Sequence, residues 1–239
     1  MKDIFKFKEF EVKQEDSAMK IGTDGVLLGA WTKIDNSEDS VLDIGSGTGL
    51  ISLMMAQRSD AELIDAVELD PSAYEESVYN FENSPWGDRL FCYHSSFQEF
   101  AQEIEDSYDL IVSNPPFFKR TTSVSIERDR ARNDHNLPAK DLLQGVQALL
   151  SATGRFACVL PADDAEGFIN LAEEQGLFLS RRCEVKGRLD TKVIRTLMEF
   201  DRVKKSKDPV LLEQLTIEIE RHQYTEEYIG LVQDFYLNM

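Results

Sequence analysis

Short apolar runs alternate with segments of helical periodicity along most of the chain. Apolar runs predict seven strands, at 41–44, 64–69, 90–94, 108–113, 154–161, 177–185 and 193–200. Helical segments are predicted between them at 50–58, 72–81, 139–150 and 163–175. Such alternation is typical of α/β proteins. We therefore predict a Rossmann-like α/β domain with a seven-stranded, mostly parallel sheet.

The N-terminal residues are expected to extend this domain. Alternation of polar and apolar residues over 4–8 predicts a short strand. Thr23 or Asp24 can cap a helix that runs to Trp31. Since this helix precedes the first strand of the sheet, it is expected to form a lid over a bound ligand. A single domain over 1–239 would then comprise an N-terminal strand and lid helix at 1–35 and a Rossmann-like core at 36–239.

Individual residues mark several element ends. Asp70, just before Pro71, is positioned to cap a helix, and Gly176 is positioned to end one. Thr225 can cap a final helix. The segment 211–222 is apolar at mixed spacing and predicts no definite element.

Composition restricts the class of protein. The chain has 239 residues, 42% of them hydrophobic and 29% charged, which is typical of a globular protein with a substantial core. No apolar run has the length of a membrane span, and the N-terminus lacks a signal-peptide core, so we expect a cytoplasmic protein without a membrane partner. Cys92, Cys158 and Cys183 are far apart, which argues against disulfides and against a metal site.

A glycine-rich turn follows the first predicted strand of the sheet. Gly45, Gly47 and Gly49 occupy alternate positions before an apolar helix, as expected where a ligand lies against the backbone. The dinucleotide fingerprint requires its third glycine at the sixth position, where this chain has Leu50. Asp43 would repel a pyrophosphate and suits a cationic ligand. The stretch resembles motif I of class I S-adenosylmethionine-dependent methyltransferases, which implies S-adenosylmethionine as the cofactor.

Two further strand ends are expected to contact the same ligand. Glu68 lies near the end of the second strand, about 20 residues after the glycine turn, where a carboxylate can accept both ribose hydroxyls of a nucleoside. Ser96 and the backbone of Phe97 follow the third strand and are expected beside the adenine ring. Because many relatives have an acidic residue there, Ser96 departs from the family pattern.

The fourth strand leads into a stiff recognition loop. Asn114 is followed by Pro115, Pro116 and Phe117, and the consecutive prolines keep the backbone extended. The Asn114 side-chain oxygen and the Pro115 carbonyl can accept both hydrogens of an exocyclic amino group, and Phe117 can stack on a planar base. Such acceptors would orient a weakly nucleophilic aryl amine for methyl transfer by positioning and electrostatics.

The Asn-Pro-Pro-Phe quartet resembles motif IV of amino-group methyltransferases. Together with residues 20–31, 43–49 and 68–71, it resembles the bacterial valine-tRNA adenine N6-methyltransferase family, which modifies adenine 37 beside the anticodon. The resemblance extends to about Phe200 and implies the class I methyltransferase fold, in which the last strand of the sheet is antiparallel. It implies tRNA as partner, a flipped-out adenine as substrate, catalytic roles for Asn114, Pro115 and Phe117, and cofactor contacts at Thr23, Asp24, Asp43, Gly45, Gly47, Gly49, Glu68, Ser96, Phe97 and Asn114.

Charge is unevenly distributed along the chain. The net charge is −18, which argues against non-specific nucleic-acid binding by the whole surface. Residues 118–209 carry 17 Lys and Arg against 14 Asp and Glu, and the remainder has a balance of −21. A polyanion site is therefore expected in the middle and late part of the chain, and the candidate RNA contacts are Lys119, Arg120, Arg128, Arg130, Arg132, Lys186 and Arg188. The basic residues around the connection between the last two strands form a second candidate RNA surface: Arg181, Arg182, Lys186, Arg188, Lys192 and Arg195.

Several alternatives remain open. The same chemistry could act on a ribosomal RNA or DNA adenine, or on a protein glutamine amide. Two further alternatives belong to other functional classes: a nicotinamide oxidoreductase and a non-catalytic nucleotide-binding module. The displaced glycine and Asp43 count against the oxidoreductase, and the intact Asn-Pro-Pro-Phe quartet counts against the silent module. We expect a monomer.

Overall fold

A computed structural model describes residues 3–15, 17, 20–34, 38–115, 137–204 and 209–239. Its strands are β1 Ile4–Lys6, β2 Glu11–Lys13, β3 Ser40–Ile44, β4 Leu63–Glu68, β5 Leu90–His94, β6 Tyr108–Ser113, β7 Leu150–Pro161, β8 Phe178–Arg188, β9 Val193–Asp201, β10 Leu211–Glu220 and β11 Gln223–Tyr224. Its helices are α1 Thr23–Trp31, α2 Leu50–Arg58, α3 Pro71–Glu82, α4 Phe97–Glu103, α5 Ala139–Leu149, α6 Ala162–Glu174 and α7 Glu226–Val232.

One large sheet organises the fold. Its strand order is β11-β10-β8-β9-β7-β6-β3-β4-β5. The strands β3 to β7 run parallel, and β9 is antiparallel to both neighbours, β7 and β8. The predicted fold class and its antiparallel last strand are therefore confirmed. The sheet has nine strands instead of seven, because β10 pairs parallel to β8 and the short β11 pairs antiparallel to β10.

Apolar residues fill both faces of the central strands. Val41 and Leu42 on β3 point to opposite faces, and both are fully buried. One cluster contains Val41 with α1 and α2, and the other contains Leu42 with α5 and α6. This two-sided burial explains why these strands appear in the sequence as continuous apolar runs.

The N-terminal segment forms a hairpin, where a single strand was predicted. Strands β1 and β2 pair with each other, and the hairpin packs on the C-terminal residues. The rings of Phe7 and Tyr236 lie 5.7 Å apart, and the Lys8 backbone N–H donates to the Phe235 carbonyl at 2.8 Å.

Three predicted element ends are confirmed, and one is wrong. The Asp70 and Thr225 side chains cap α3 and α7, and Gly176 follows α6 with φ +78°. Helix α1 does begin at Thr23, but its N-cap is Gly22 and no side chain caps it. Asp24 instead lies in the first turn and pairs with Arg195. None of the helices that the structure describes is long and apolar enough to cross a membrane.

Candidate active site

The predicted site residues lie where parallel strands end. We call this side of the sheet, where β3, β4, β6 and β7 have their C-termini, the carboxyl edge. Ser113 of β6 pairs with Ile44 of β3, and the Ser113 hydroxyl donates to the Ile44 carbonyl at 2.9 Å. This register places Asn114 beside Gly45. In open α/β sheets, ligands bind in the crevice at this edge.

The glycine turn gives this edge an open floor. Gly45, Gly47 and Gly49 have φ values of +70°, +58° and +77°, a region that side chains disfavour. A Cβ on Gly45 or Gly47 would meet no described atom within 4 Å, so a ligand can approach the backbone there.

Gly49 is required for a different reason. A Cβ at this position would lie 2.4 Å from the Phe81 ring and 2.7 Å from the Ser77 hydroxyl, both on α3. Gly49 therefore allows α2 and α3 to pack closely, a role that differs from its predicted contact with the cofactor.

Asp43 provides an unpaired carboxylate oxygen beside this floor. The side chain is fully buried, and its Oδ2 atom accepts hydrogen bonds from the Ser52 hydroxyl at 2.8 Å and the Ser52 N–H at 3.1 Å. Oδ1 has no hydrogen-bond partner in the part of the chain that the structure describes. Burial raises the pKa of Asp43 to about 7, which the Ser52 hydrogen bonds partly oppose. A cationic group would satisfy this oxygen and favour the charged form.

Glu68 joins the second strand end to the glycine turn. Its Oε2 atom accepts the Gly47 N–H at 2.8 Å, and Oε1 accepts the Asp70 N–H at 2.8 Å. A carboxylate oxygen can accept more than one hydrogen bond, so Glu68 can fix the turn and also accept from ribose hydroxyls.

Ser96 and Phe97 have structural contacts at the predicted adenine side. The Ser96 hydroxyl and Glu99 form a capping box at the start of α4. The Phe97 side chain is buried, and its ring lies against Gly145. The predicted adenine contacts of both residues stay predictions, and their side chains already take part in packing and capping.

Asn114 and Pro115 are the described members of the recognition quartet. Asn114 is half-buried and Pro115 is buried directly after β6. The predicted residues Phe117, Lys119, Arg120, Arg128, Arg130 and Arg132 lie outside the described residues.

The lid helix reaches the carboxyl edge through an ion pair. The Arg195 Nε atom lies 2.8 Å from the Asp24 Oδ2 atom, and Arg195 pairs in register with Pro161 at the end of β7. The N-terminus of α1, with Thr23 and Asp24, therefore lies at this edge, as the lid prediction requires. The partner that the structure gives Asp24 is Arg195.

The basic residues of β8 divide into two groups. Arg181 and Arg182 hold Glu199, Glu213, Glu166 and Glu184 in ion pairs, so their charges stabilise the sheet. Lys186 and Arg188 lie at the other end of β8, which is at the carboxyl edge because β8 runs parallel to β7. Arg188 is exposed, and its Nε atom is 3.9 Å from Asp190.

Sequence reasoning missed Asn80, a buried residue that supports the glycine turn. Its side-chain amide donates to the Thr48 carbonyl at 2.8 Å and to the Lys13 carbonyl at 3.0 Å, and its oxygen accepts the Lys13 N–H at 2.7 Å. The only sequence signal is an asparagine between apolar positions of α3, which is equally compatible with a surface residue.

The arrangement can hold a cationic nucleoside-like ligand on the glycine floor. Asn114 and Pro115, which we call the amine-binding pair after their predicted role, follow β6 beside that floor. No group of three His, Cys, Asp or Glu side chains able to hold a metal ion occurs among the described residues.

Comparison with known proteins identifies the family. Residues 19–159 match the family model described as methyltransferase small domain. A relative from Christiangramia forsetii is 50% identical over 98% of each chain, and one from Bacteroides fragilis is 42% identical over 99% of this chain and 98% of that one. Both are named tRNA1(Val) (adenine(37)-N6)-methyltransferase. The chain belongs to this family.

The wider fold of this family is that of class I methyltransferases. The crystal structure of a predicted O-methyltransferase from Agrobacterium tumefaciens superposes with a TM-score of 0.67, at 16% identity, over 89% of this chain and 96% of that one. At this low identity the likeness shows the fold alone.

Proposed function

We propose that this member of the family transfers a methyl group from S-adenosylmethionine to N6 of an adenine in tRNA, at position 37 of valine tRNA. The relatives carry that activity in their names. The observation that carries the proposal is the position of Asn114 and Pro115, next to the open glycine floor and to the unpaired oxygen of Asp43. Since tRNA is a cytoplasmic molecule, we place the activity in the cytoplasm.

The floor of the site fits this cofactor. Asp43 Oδ1 would accept from its ammonium group, Gly45 and Gly47 would lie under it, and Glu68 would accept from its ribose hydroxyls. Thr23 and Asp24 would approach from the lid helix. Ser96 and the Phe97 backbone would lie beside the adenine. Gly49 would keep the glycine turn packed closely against α3. Bound there, S-adenosylmethionine supplies an electrophilic methyl group on its sulfonium.

Asn114 and Pro115 would activate the acceptor by orienting it. An adenine amine is a poor nucleophile because its lone pair is delocalised into the ring. The Asn114 oxygen and the Pro115 carbonyl can each accept one N–H hydrogen, which draws the nitrogen toward tetrahedral geometry and turns its lone pair toward the cofactor side. Phe117 would stack on the flipped base. This mechanism needs no metal.

The candidate RNA contacts would hold the rest of the substrate. Lys186 and Arg188 lie at the carboxyl edge, and we propose phosphate contacts for them together with Lys119, Arg120, Arg128, Arg130 and Arg132. Positive charge at this edge is what allows an acidic protein to bind a polyanion.

Replacement of Asn114 tests the proposed chemistry. Asn114→Ala removes one acceptor, so turnover with tRNA should fall at least about 100-fold while the cofactor dissociation constant stays within about twofold. The measurement is methyl transfer from radiolabelled S-adenosylmethionine to tRNA, together with calorimetric titration of the cofactor. Asn170→Ala, on the exposed face of α6, is the matched control.

The substrate panel separates the alternatives. Ribosomal RNA, DNA and a glutamine-containing peptide are assayed beside tRNA from cells that lack the gene. Label on tRNA supports the proposal. Label confined to another of these acceptors would contradict it, and so would loss of cofactor binding together with turnover in Asn114→Ala, which would give Asn114 a structural role.

A further inference from the structure

Arg195 is a cation at the carboxyl edge that the proposed active site does not use. It lies near the start of β9, which runs antiparallel to β7, so this end of β9 faces the same crevice as the C-terminus of β7. Its Nε atom donates to Asp24 on α1, and Nη1 donates to the Ile194 carbonyl at 2.9 Å. The side chain is 27% exposed, so part of it is open to solvent.

Strand register gives its distance from the amine-binding pair. Ser113 pairs with Cys158, and Arg195 pairs with Pro161, three residues farther along β7. With strands about 4.8 Å apart and a rise of about 3.3 Å per residue, the Cα atoms of Asn114 and Arg195 are roughly 12 Å apart. That separation is comparable with the distance between the outer edge of a base and the phosphate of the same nucleotide. A base held at Asn114 would therefore bring its own phosphate within reach of a long side chain at Arg195.

Other cations continue from Arg195 along the same edge. On the neighbouring strand β8, Lys186 pairs in register with Val193, and Arg188 is the last residue of that strand. Lys192 lies in the connection between β8 and β9, and both Arg188 and Lys192 are exposed. That connection is ordered by Thr191, whose N–H and hydroxyl both donate to the Arg188 carbonyl. The cations thus form a row that starts near the amine-binding pair and leads away from it, as a polyanionic backbone requires.

We infer that Arg195 is a phosphate-binding residue that holds the phosphodiester of the target nucleotide while its base occupies the Asn114 site. This inference rests on the proposed RNA substrate. A guanidinium suits the role because its planar fork carries five N–H donors and can bridge two anions, here Asp24 and a phosphate.

The dependence of RNA affinity on salt tests this assignment. A labelled anticodon stem-loop of valine tRNA is titrated with the full-length protein at several KCl concentrations. Arg195→Gln should weaken binding about tenfold and reduce the slope of log affinity against log salt by about 0.7 to 1, the value for one phosphate contact. Arg195→Lys keeps the charge and can keep the pairing with Asp24, so it should retain both the slope and the wild-type cofactor affinity.

Lys204→Gln is the matched control, since it removes one exposed positive charge at the opposite edge of the sheet. It should leave the slope as in the wild type. Weaker binding by Arg195→Gln with an unchanged slope would overturn the inference and give Arg195 a structural role. Wild-type affinity and slope in Arg195→Gln would overturn it too. Failure of the wild-type protein to methylate any RNA would instead overturn the proposed function.

Discussion

Asp43 is fully buried at the floor of the site, with one oxygen bonded to Ser52 and the other without a hydrogen-bond partner among the described residues. Its pKa in the folded protein is about 7, against an ordinary value of 3.8. The folded state therefore binds this proton more tightly than the unfolded chain. The resulting stability is present below the unfolded pKa and decreases as the pH rises toward 7. A bound ammonium group would favour the ionised form and lower this pKa.

Cofactor affinity should consequently depend on pH. Between about pH 5.5 and 7, an α-amino group keeps its proton. S-adenosylmethionine should bind about tenfold more tightly at the upper end, because roughly half of the Asp43 side chains are already ionised at pH 7 and only a small fraction at pH 5.5. Calorimetric titration of the wild type and Asp43→Asn measures this. Asp43→Asn should bind weakly with little pH dependence, and equal pH dependence in the two proteins would contradict the role of Asp43.

The glycines of the turn should separate into two roles. Gly49→Ala combines a strained φ with a contact of 2.4 Å to Phe81 and should destabilise the protein by about 2 kcal/mol or more. Gly47→Ala has similar strain but open space, and should destabilise it by about 1 kcal/mol while weakening cofactor binding. Urea unfolding with cofactor titration checks both, and equal losses of stability would contradict the packing role of Gly49.

Among the elements, α3 connects the N-terminal segment to the glycine turn. Asn80 binds Lys13 and Thr48, and one turn earlier Glu76 accepts the Ser17 N–H at 3.0 Å. The end of β2 at Lys13 and the later residue Ser17 are therefore held by the same face of α3 that packs on Gly49. Movement of this segment should alter the floor of the site.

Removing the hydrogen bonds of Asn80 should loosen the N-terminal segment that α3 holds. Asn80→Ala leaves the Lys13 N–H and two carbonyls without their partner, so hydrogen exchange over residues 13–24 should accelerate at least about tenfold. The cofactor dissociation constant should rise several-fold. Asn83→Ala, at the exposed residue directly after α3, is the control and should change neither quantity. Unaltered exchange in Asn80→Ala would show that α3 does not hold the segment.

The sequence predicted the central elements because burial on both faces leaves continuous apolar runs, as in β3 and β6. It failed for β10, whose outer edge is open along Leu211–Thr216 in the described sheet and whose Leu211 and Leu212 are both exposed. Partial burial gave that strand an irregular pattern. Its pairing with β8 depends on the tertiary fold, which local periodicity does not encode.

The residues and contacts of the candidate site also fall into two groups, those that local sequence patterns predict and those that depend on the tertiary fold. Asp43, Glu68 and Asn114 are predictable because each lies near a strand end that a local pattern marks. The contact between Asp24 and Arg195 joins residues 171 positions apart, and no pattern within either segment indicates it. Similarly, the capping box of Ser96 depends on where α4 begins, so its hydroxyl cannot be assigned from the residue type alone.

At the scale of the whole molecule, charge is unevenly distributed. The protein has a net charge of −18, yet the carboxyl edge carries Lys186, Arg188, Lys192 and Arg195, of which Arg188 and Arg195 lie beside Asp190 and Asp24. Acidic surfaces elsewhere would repel RNA, so productive binding should be restricted to this edge. The family membership and the geometry of the crevice both favour one nucleotide of a structured RNA as the acceptor.

The most direct measurement is nucleoside analysis of purified valine tRNA after incubation with the protein and S-adenosylmethionine. The tRNA is taken from cells that lack the gene, digested and analysed by mass spectrometry, with nuclease mapping of the modified fragment. N6-methyladenosine at position 37, formed by the wild type and absent with Asn114→Ala, is the predicted result. An unmodified adenine 37 after incubation with cofactor-bound wild-type protein would contradict the proposed function.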